Sequence, residues 1–254
     1  MTKFLDTKNA RFYGPDGTVR ADADLRVAKK ESLYVSVTSV LKTQPKPFLE
    51  AWKRGQLFEA VATMPRQPDW TDDYYTQLVL EESDRKMNDA AVWGTDFHGL
   101  VEDHCRGQSP DAGQYADYFN FYKIWHSENV TAIRGIEEVV VHKAMGYAGR
   151  EDLRLGIKGR EGDCLGDIKT RNVKDGKKPD FYPEQAMQLS AYRMCHPVNS
   201  RPTNFFSLIV NRLKPEPPWI KWWSEKEMDL ADWRWNACLE HYRADKNWKW
   251  EVKV

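Results

Sequence analysis

The hydrophobic period of the chain changes near Val130, and that change bounds what it can fold into. Upstream the apolar residues recur at helical spacing. The segment "KPFLEAWKRGQLFEAVATM" sets Leu49, Trp52, Leu57 and Ala60 on one face before "PRQPDW" breaks the pattern. A longer helical stretch is expected from about Asp72 to Cys105, interrupted near Gly94, and "DAGQYADYFNFYKIWHSE" predicts a helix with Tyr115, Tyr118, Phe119 and Tyr122 as its aromatic face. Earlier, "LYVSVTSVLK" reads as a short apolar strand or the entry to a helix. Downstream, the β-branched run "GIEEVVVHK" can pair with "GYAGREDLRL", and "KGREG" turns the chain into "DCLGDIKTR", giving three short strands in succession. A helix follows in "FYPEQAMQLSAYRMCH", with Ala186, Leu189, Tyr192 and Met194 near one side. Strands in "NFFSLIVNRL" and "WIKWWS" come next, and Ser224 with Glu227 forms a capping box that opens a last helix through about Arg243. This order predicts an α/β chain whose mixed β-sheet core is flanked by helices, with an N-terminal helical lobe. The whole reads as one domain, 1–254, mainly helical over 1–130 and an α/β core over 131–254.

Charge decides how such a protein could meet a polyanion. Lys plus Arg equals Asp plus Glu at 38 each, so no global field draws the chain to nucleic acid or to anionic membrane. Any phosphate-binding surface must be a local patch. "KTRNVKDGKK" is one, with Lys169, Arg171, Lys174, Lys177 and Lys178 against the single acid Asp175, although a solvated loop would read the same way. No segment approaches the roughly 20 apolar residues that span a bilayer, and "MTKFLDTKNARFYG" lacks the apolar run of a signal peptide, so a cytosolic location is expected. Cys105, Cys164, Cys195 and Cys238 are scattered, without C-x-x-C spacing, and read as free thiols, mostly buried.

Chemistry concentrates on the predicted hairpin. Along a strand, residues i and i+2 share a face, so Asp167 and Lys169 present an acid and an amine together. The spacing alone says little, because acid-x-Lys also occurs at Asp6/Lys8, Asp84/Lys86, Asp175/Lys177 and Glu251/Lys253. Only Asp167/Lys169 lies inside an apolar strand behind a hairpin. Asp152, in "GREDL" on the preceding strand, adds a second carboxylate; two such oxygen donors suit Mg²⁺ or Mn²⁺ better than zinc. Upstream, in "GTDFHGLVEDH", His98 and Glu102 are i and i+4 on one helix face, which a solvated surface pair would equally explain. In "QAMQLSAY", Gln188 and Tyr192 are again i and i+4; packing explains the tyrosine well and the glutamine poorly.

In chain order these residues read G-x-x-x-H-x-x-x-E, G-x-x-D, D-x-K and Q-x-x-x-Y, from Gly94 to Tyr192. The series resembles the RecB-like branch of the PD-(D/E)XK nuclease superfamily, and more loosely its phage-encoded and mitochondrial exonucleases. "SVTSVL", with Ser36 and Thr38, is similar to the opening segment of those members. The resemblance implies a restriction-endonuclease-like core and a metal-dependent DNA exonuclease. It implies that Asp152 and Asp167 hold Mg²⁺ or Mn²⁺ with the Ile168 carbonyl and His98, Glu102 lying outside as a further ligand. By the same resemblance Lys169 orients or deprotonates the attacking water or stabilises charge on the phosphate, and Gln188 and Tyr192 fix Lys169 and the DNA backbone. DNA with a free end is the implied partner, contacted also by Ser36, Thr38, Arg171, Lys174, Lys177 and Lys178. The implied setting is replication, recombination or degradation of DNA in a bacterium or a phage-infected cell, beside other recombination or replication proteins. Cleavage polarity, strand preference, DNA against RNA, the number of metal ions and the oligomeric state stay open.

Iron–sulfur members of the superfamily carry three cysteines close together near the C-terminus; this chain has only Cys195 and Cys238 there, so no cluster is expected. No G-x-x-x-x-G-K-[ST] run supplies a motor. A noncatalytic DNA-binding or adaptor protein on the same fold is the rival reading, weakened because every expected polar position is filled. An unrelated α/β protein with a charged surface hairpin is a third. Trp219, Trp222, Trp223, Trp233, Trp235, Trp248 and Trp250 crowd the C-terminal segment, most of them expected in the core and at most one or two against single-stranded bases.

Overall fold

The computed structural model describes residues 12–248 and 250, so the amino-terminal stretch and the pairs Asp6/Lys8 and Glu251/Lys253 lie outside the described residues. In chain order the elements are β1 (Phe12–Tyr13), α1 (Leu25–Glu31), β2 (Tyr34–Ser36), α2 (Val37–Leu41), α3 (Pro47–Thr63), α4 (Asp72–Cys105) and α5 (Ala116–Asn129). They continue as β3 (Val130–His142), β4 (Tyr147–Ile157), β5 (Cys164–Arg171), α6 (Pro183–Cys195), β6 (Asn204–Asn211), β7 (Trp219–Trp223) and α7 (Glu225–Asp245). The class is α/β, as expected: a mixed parallel and antiparallel sheet of seven strands with flanking helices. None of the described helices is long and apolar enough to cross a membrane.

The chain divides into two compact units, residues 1–44 with 100–254, and residues 45–99. The helical segment bounded at residue 130 in the sequence thus splits in space, because β1, α1, β2 and α2 join the sheet unit. The smaller unit pairs α3 with most of α4. Lys86 reaches Glu59 at 2.9 Å, and the Tyr75 hydroxyl donates to the Met64 carbonyl at 3.1 Å. Two corrections to the sequence reading fall here. α4 runs unbroken through Gly94 to Cys105. The expected α3 face is largely exposed, with Leu49 at 39%, Trp52 at 41% and Leu57 at 39%, while Ala60 is buried. A helix that packs on one partner buries a single narrow stripe, too narrow to cover a whole amphipathic face.

In the larger unit the sheet order is β1-β2-β4-β5-β6-β7, with β3 on the other edge of β4. β2 and β4 are parallel, as are β5 and β6; the remaining pairs are antiparallel. Leu165, Phe205 and Tyr147 face α6 and α7 and form the main core with Leu189, Trp235 and Leu239. Phe206 turns the other way, toward Trp125 of α5 at 6.0 Å between rings, which covers the second face. The Ser224–Glu227 capping box is present and starts α7. Cys105, Cys164 and Cys238 are buried free thiols and Cys195 is half-buried; burial pushes the Cys164 thiol up to about 11. Trp235 and Trp248 are core, whereas Trp233 is 69% exposed.

The partner exchange along one edge of β4 positions the site. β2 pairs with β4 as far as Ser36↔Ala148, and β5 takes over only at Leu153↔Gly166. Between those rungs, residues 149 to 152 have no strand beside them on that edge among the described residues. The sheet forks there.

Candidate active site

The fork is filled by side chains. The next rung after Leu153↔Gly166 would set Asp152 opposite Asp167, but the strands part, and the Asp152 Oδ2 accepts the Ile168 N–H at 2.8 Å in place of a backbone carbonyl. β5 stays paired with β6 throughout, so Asp167, Ile168 and Lys169 sit on rigid backbone. Asp167 is 1% exposed. Its Oδ1 accepts from the Lys169 ammonium in a short contact, and its Oδ2 is buried with no hydrogen-bond partner among the described residues. An orphaned carboxylate oxygen in the interior is costly unless something satisfies it. Burial works against the Lys169 charge, but the Asp167 and Asp152 carboxylates outweigh it and raise its pKa above the ordinary lysine value.

The glycine close before each aspartate has a packing cause. A Cβ at Gly149 would meet the Tyr192 ring at 2.5 Å, and one at Gly166 would meet Phe206 at 2.2 Å. Gly149 thereby lets α6 lay Tyr192 into the fork, where Gln188 Nε2 donates to its hydroxyl at 3.1 Å. Burial first, then the charges of Asp152 and Asp167, push the Tyr192 phenol well above its usual value. It stays a neutral hydroxyl behind the two carboxylates.

Sequence reasoning missed Glu137. The pairs Ile136↔Leu153 and Glu138↔Glu151 flank it, so it stands opposite Asp152 on β3, with a left-handed backbone of φ 51°. A non-glycine residue in that region is uncommon and costs about 1–3 kcal/mol, a cost seen most often where a side chain must be aimed. Arg150 Nη1 stands 3.7 Å from its carboxylate. The available signal was an adjacent acid pair, Glu137–Glu138, inside a β-branched run. Glu151, beside Asp152, is also buried, sealed between His196 Nε2 at 2.7 Å and Arg154 Nε at 3.1 Å.

His98 lies on α4 one residue before the division between the units, on a helix that runs unbroken to Cys105. Within the larger unit, a carboxylate oxygen of Glu137 and one of Asp152 lie within 4.8 Å of each other, and both residues are half-buried. Glu102, read as an outer ligand, holds Arg106 at 2.8 Å. Asp167 is paired with Lys169. The donors within the larger unit are carboxylate oxygens, the hard type that Mg²⁺ or Mn²⁺ takes, and the buried Asp167 Oδ2 is of the same type.

The other sequence-derived positions divide. Ser36 is buried and caps α2: its hydroxyl accepts the Ser39 N–H at 3.1 Å and donates to the Ser39 hydroxyl at 2.8 Å. Thr38 is exposed. Arg171 ends β5 two residues beyond Lys169, and Lys174, Lys177 and Lys178 follow on the loop that leaves it, around the same cleft. The other acid-x-Lys pairs within the described residues sit elsewhere, Asp84/Lys86 on α4 and Asp175/Lys177 at that loop's tip.

No protein-family model and no curated protein matches the sequence. Fourteen chains of solved structures match. One, described as "Crystal structure of SSO0001", is 13% identical over 78% of this chain and 88% of its own, with a TM-score of 0.32. A likeness that loose carries no argument about activity.

Proposed function

We propose that the protein is a metal-dependent nuclease of the RecB-like PD-(D/E)XK kind, hydrolysing DNA phosphodiester bonds at the fork of β4. The observation that carries this reading is the buried Asp167 carboxylate, bound by Lys169 on one oxygen and bare on the other, across the fork from Asp152. Asp152, Glu137 and Asp167 are the residues that would hold Mg²⁺ or Mn²⁺, with His98 added by the resemblance alone. Such an ion supplies a water of lowered pKa and relief of charge on the phosphoryl oxygens. Lys169 adds a fixed positive charge where negative charge develops, which in a water-poor site is worth several kcal/mol. Gln188 and Tyr192 are positioning residues: the neutral phenol backs the carboxylates, and the amide fixes the phenol. DNA with a free end is the substrate that the exonuclease resemblance favours, within a bacterial or phage-infected cytoplasm.

The test is cleavage of end-labelled linear and closed circular DNA, single and double stranded, in Mg²⁺, Mn²⁺ or chelator, by the native chain and by Asp167→Ala. Metal-dependent loss of linear DNA alone, absent in the variant, is expected. Cutting of circles would make it an endonuclease. Binding without cutting under every condition would sink the enzyme reading in favour of a DNA-binding adaptor.

A further inference from the structure

From the basic loop beside the candidate centre, we infer that this molecule has a single-strand subsite, in which phosphates meet lysines and a base stacks on Tyr182. The inference rests on the nuclease reading only for its choice of DNA as ligand. A cleft of about 300 Å³ lies here, lined by Arg171, Lys174, Lys177, Lys178 and Tyr182, with Asp180 the one acid in its wall. Among the described residues none of these four cations is in an ion pair, whereas the nearby acid Asp175 is taken by Lys214 at 3.6 Å. Unpaired like charges held around one concavity repel each other, and a polyanion relieves that repulsion.

Two features make the cleft more than a solvated loop. The loop's root is fixed, because the buried Asn211 accepts the Val173 N–H and donates to the Val173 carbonyl, each at 3.0 Å. At the other end the Tyr182 N–H donates to Gln185 Oε1 at 2.9 Å, which starts α6. Between these anchors Arg171 lies over the Tyr182 ring with its guanidinium carbon 4.3 Å from the centroid, and its Nε is buried without a hydrogen-bond partner. The guanidinium covers one face of the ring, yet Tyr182 remains 44% exposed, so ring surface is open to a flat partner. A nucleobase is such a partner, and a base in a single strand can stack there without the cost of unpairing from a duplex. Arg171 is two residues past Lys169, about 7 Å along the strand. A strand gripped here enters the fork within a nucleotide or two of its end.

The experiment is fluorescence anisotropy in chelator, so that binding is read without cleavage, using a 12-nucleotide single-stranded DNA and a blunt duplex of the same sequence. Tyr182→Ala is expected to weaken single-strand binding about tenfold and duplex binding less than twofold, while Tyr182→Phe keeps both. The double variant Lys177→Ala, Lys178→Ala should lower the slope of log affinity against log salt by about 1.4 for the single strand. Should Tyr182→Ala fail to fold by circular dichroism, Tyr182→Leu gives the same reading, since the capping hydrogen bond uses only the backbone. Unchanged single-strand affinity in the alanine or leucine variant, or equal losses on both DNAs, overturns the subsite. The expected binding pattern in a protein that never cleaves DNA with Mn²⁺ would support the subsite and remove the nuclease.

Discussion

The Asp152 carboxylate accepts the Ile168 N–H at 2.8 Å where the next rung of the β4–β5 ladder would stand. One side chain therefore closes a gap in the sheet and, in the proposed centre, would also supply a ligand oxygen. The two duties separate by substitution. Asp152→Asn keeps an acceptor for the Ile168 amide, and Asp152→Ala does not. Chemical denaturation is expected to find the alanine variant less stable by about 1–3 kcal/mol, the cost of an unsatisfied amide, and the asparagine variant near the native value. Calorimetric titration should find Mn²⁺ binding lost in both; native affinity in Asp152→Asn would remove the residue from the metal centre.

Lys169→Ala leaves the buried Asp167 carboxylate without its cation. With a lysine side chain 31% exposed, solvent screening holds the expected loss to about 1 kcal/mol. Cleavage should be abolished with DNA binding nearly intact. Melting curves in chelator and in Mn²⁺ check the first point: the ion should raise the melting temperature of the variant more than that of the native chain, because it replaces the missing charge.

Glu137 and Glu102 make opposite expectations. Glu137→Gln should weaken Mn²⁺ binding about tenfold, and Glu102→Gln should leave it within twofold, since Glu137 stands beside Asp152 whereas the Glu102 carboxylate is engaged by Arg106. Calorimetric titration of the two variants side by side decides between them.

Acid should weaken the fold through two histidines remote from the fork. The His104 and His126 rings stand 4.9 Å apart beside Tyr122. Burial lowers both pKa values from 6.5, aided by the Lys123 charge at His104 and by His104 itself at His126. The folded protein thus holds both rings neutral while the unfolded chain takes up protons first. The stability they support is complete above about pH 6.5 and is lost as the pH falls below it. Melting temperature measured from pH 8 to 5 should drop over the acid half of that range, and less in His126→Phe.

How far the sequence discloses this arrangement depends on what sets each feature. The β3–β4 hairpin, the β5 strand bearing Asp167 and Lys169, and the Ser224–Glu227 cap follow from local chemistry, and each was legible. Glu137 was not, because its aim depends on a left-handed backbone that no residue pattern beside it announces. The α3 face misled, because periodicity reports which residues could be buried together and not whether a second element arrives to cover them. Ser36 reads as a surface hydroxyl until β2 passes into α2 and its oxygen becomes the cap. The basic run gave its residues but not its rigidity, which comes from Asn211 some forty positions later.

That asparagine has an engineering consequence. Because it grips both polar groups of the Val173 backbone, and Gln185 holds the far end at Tyr182, the residues between behave as a cassette inserted between two fixed sockets. Their length and composition can vary without disturbing the sheet. Natural divergence, or a designer, can exchange residues 174–181 while Asp167 and Lys169 keep their places.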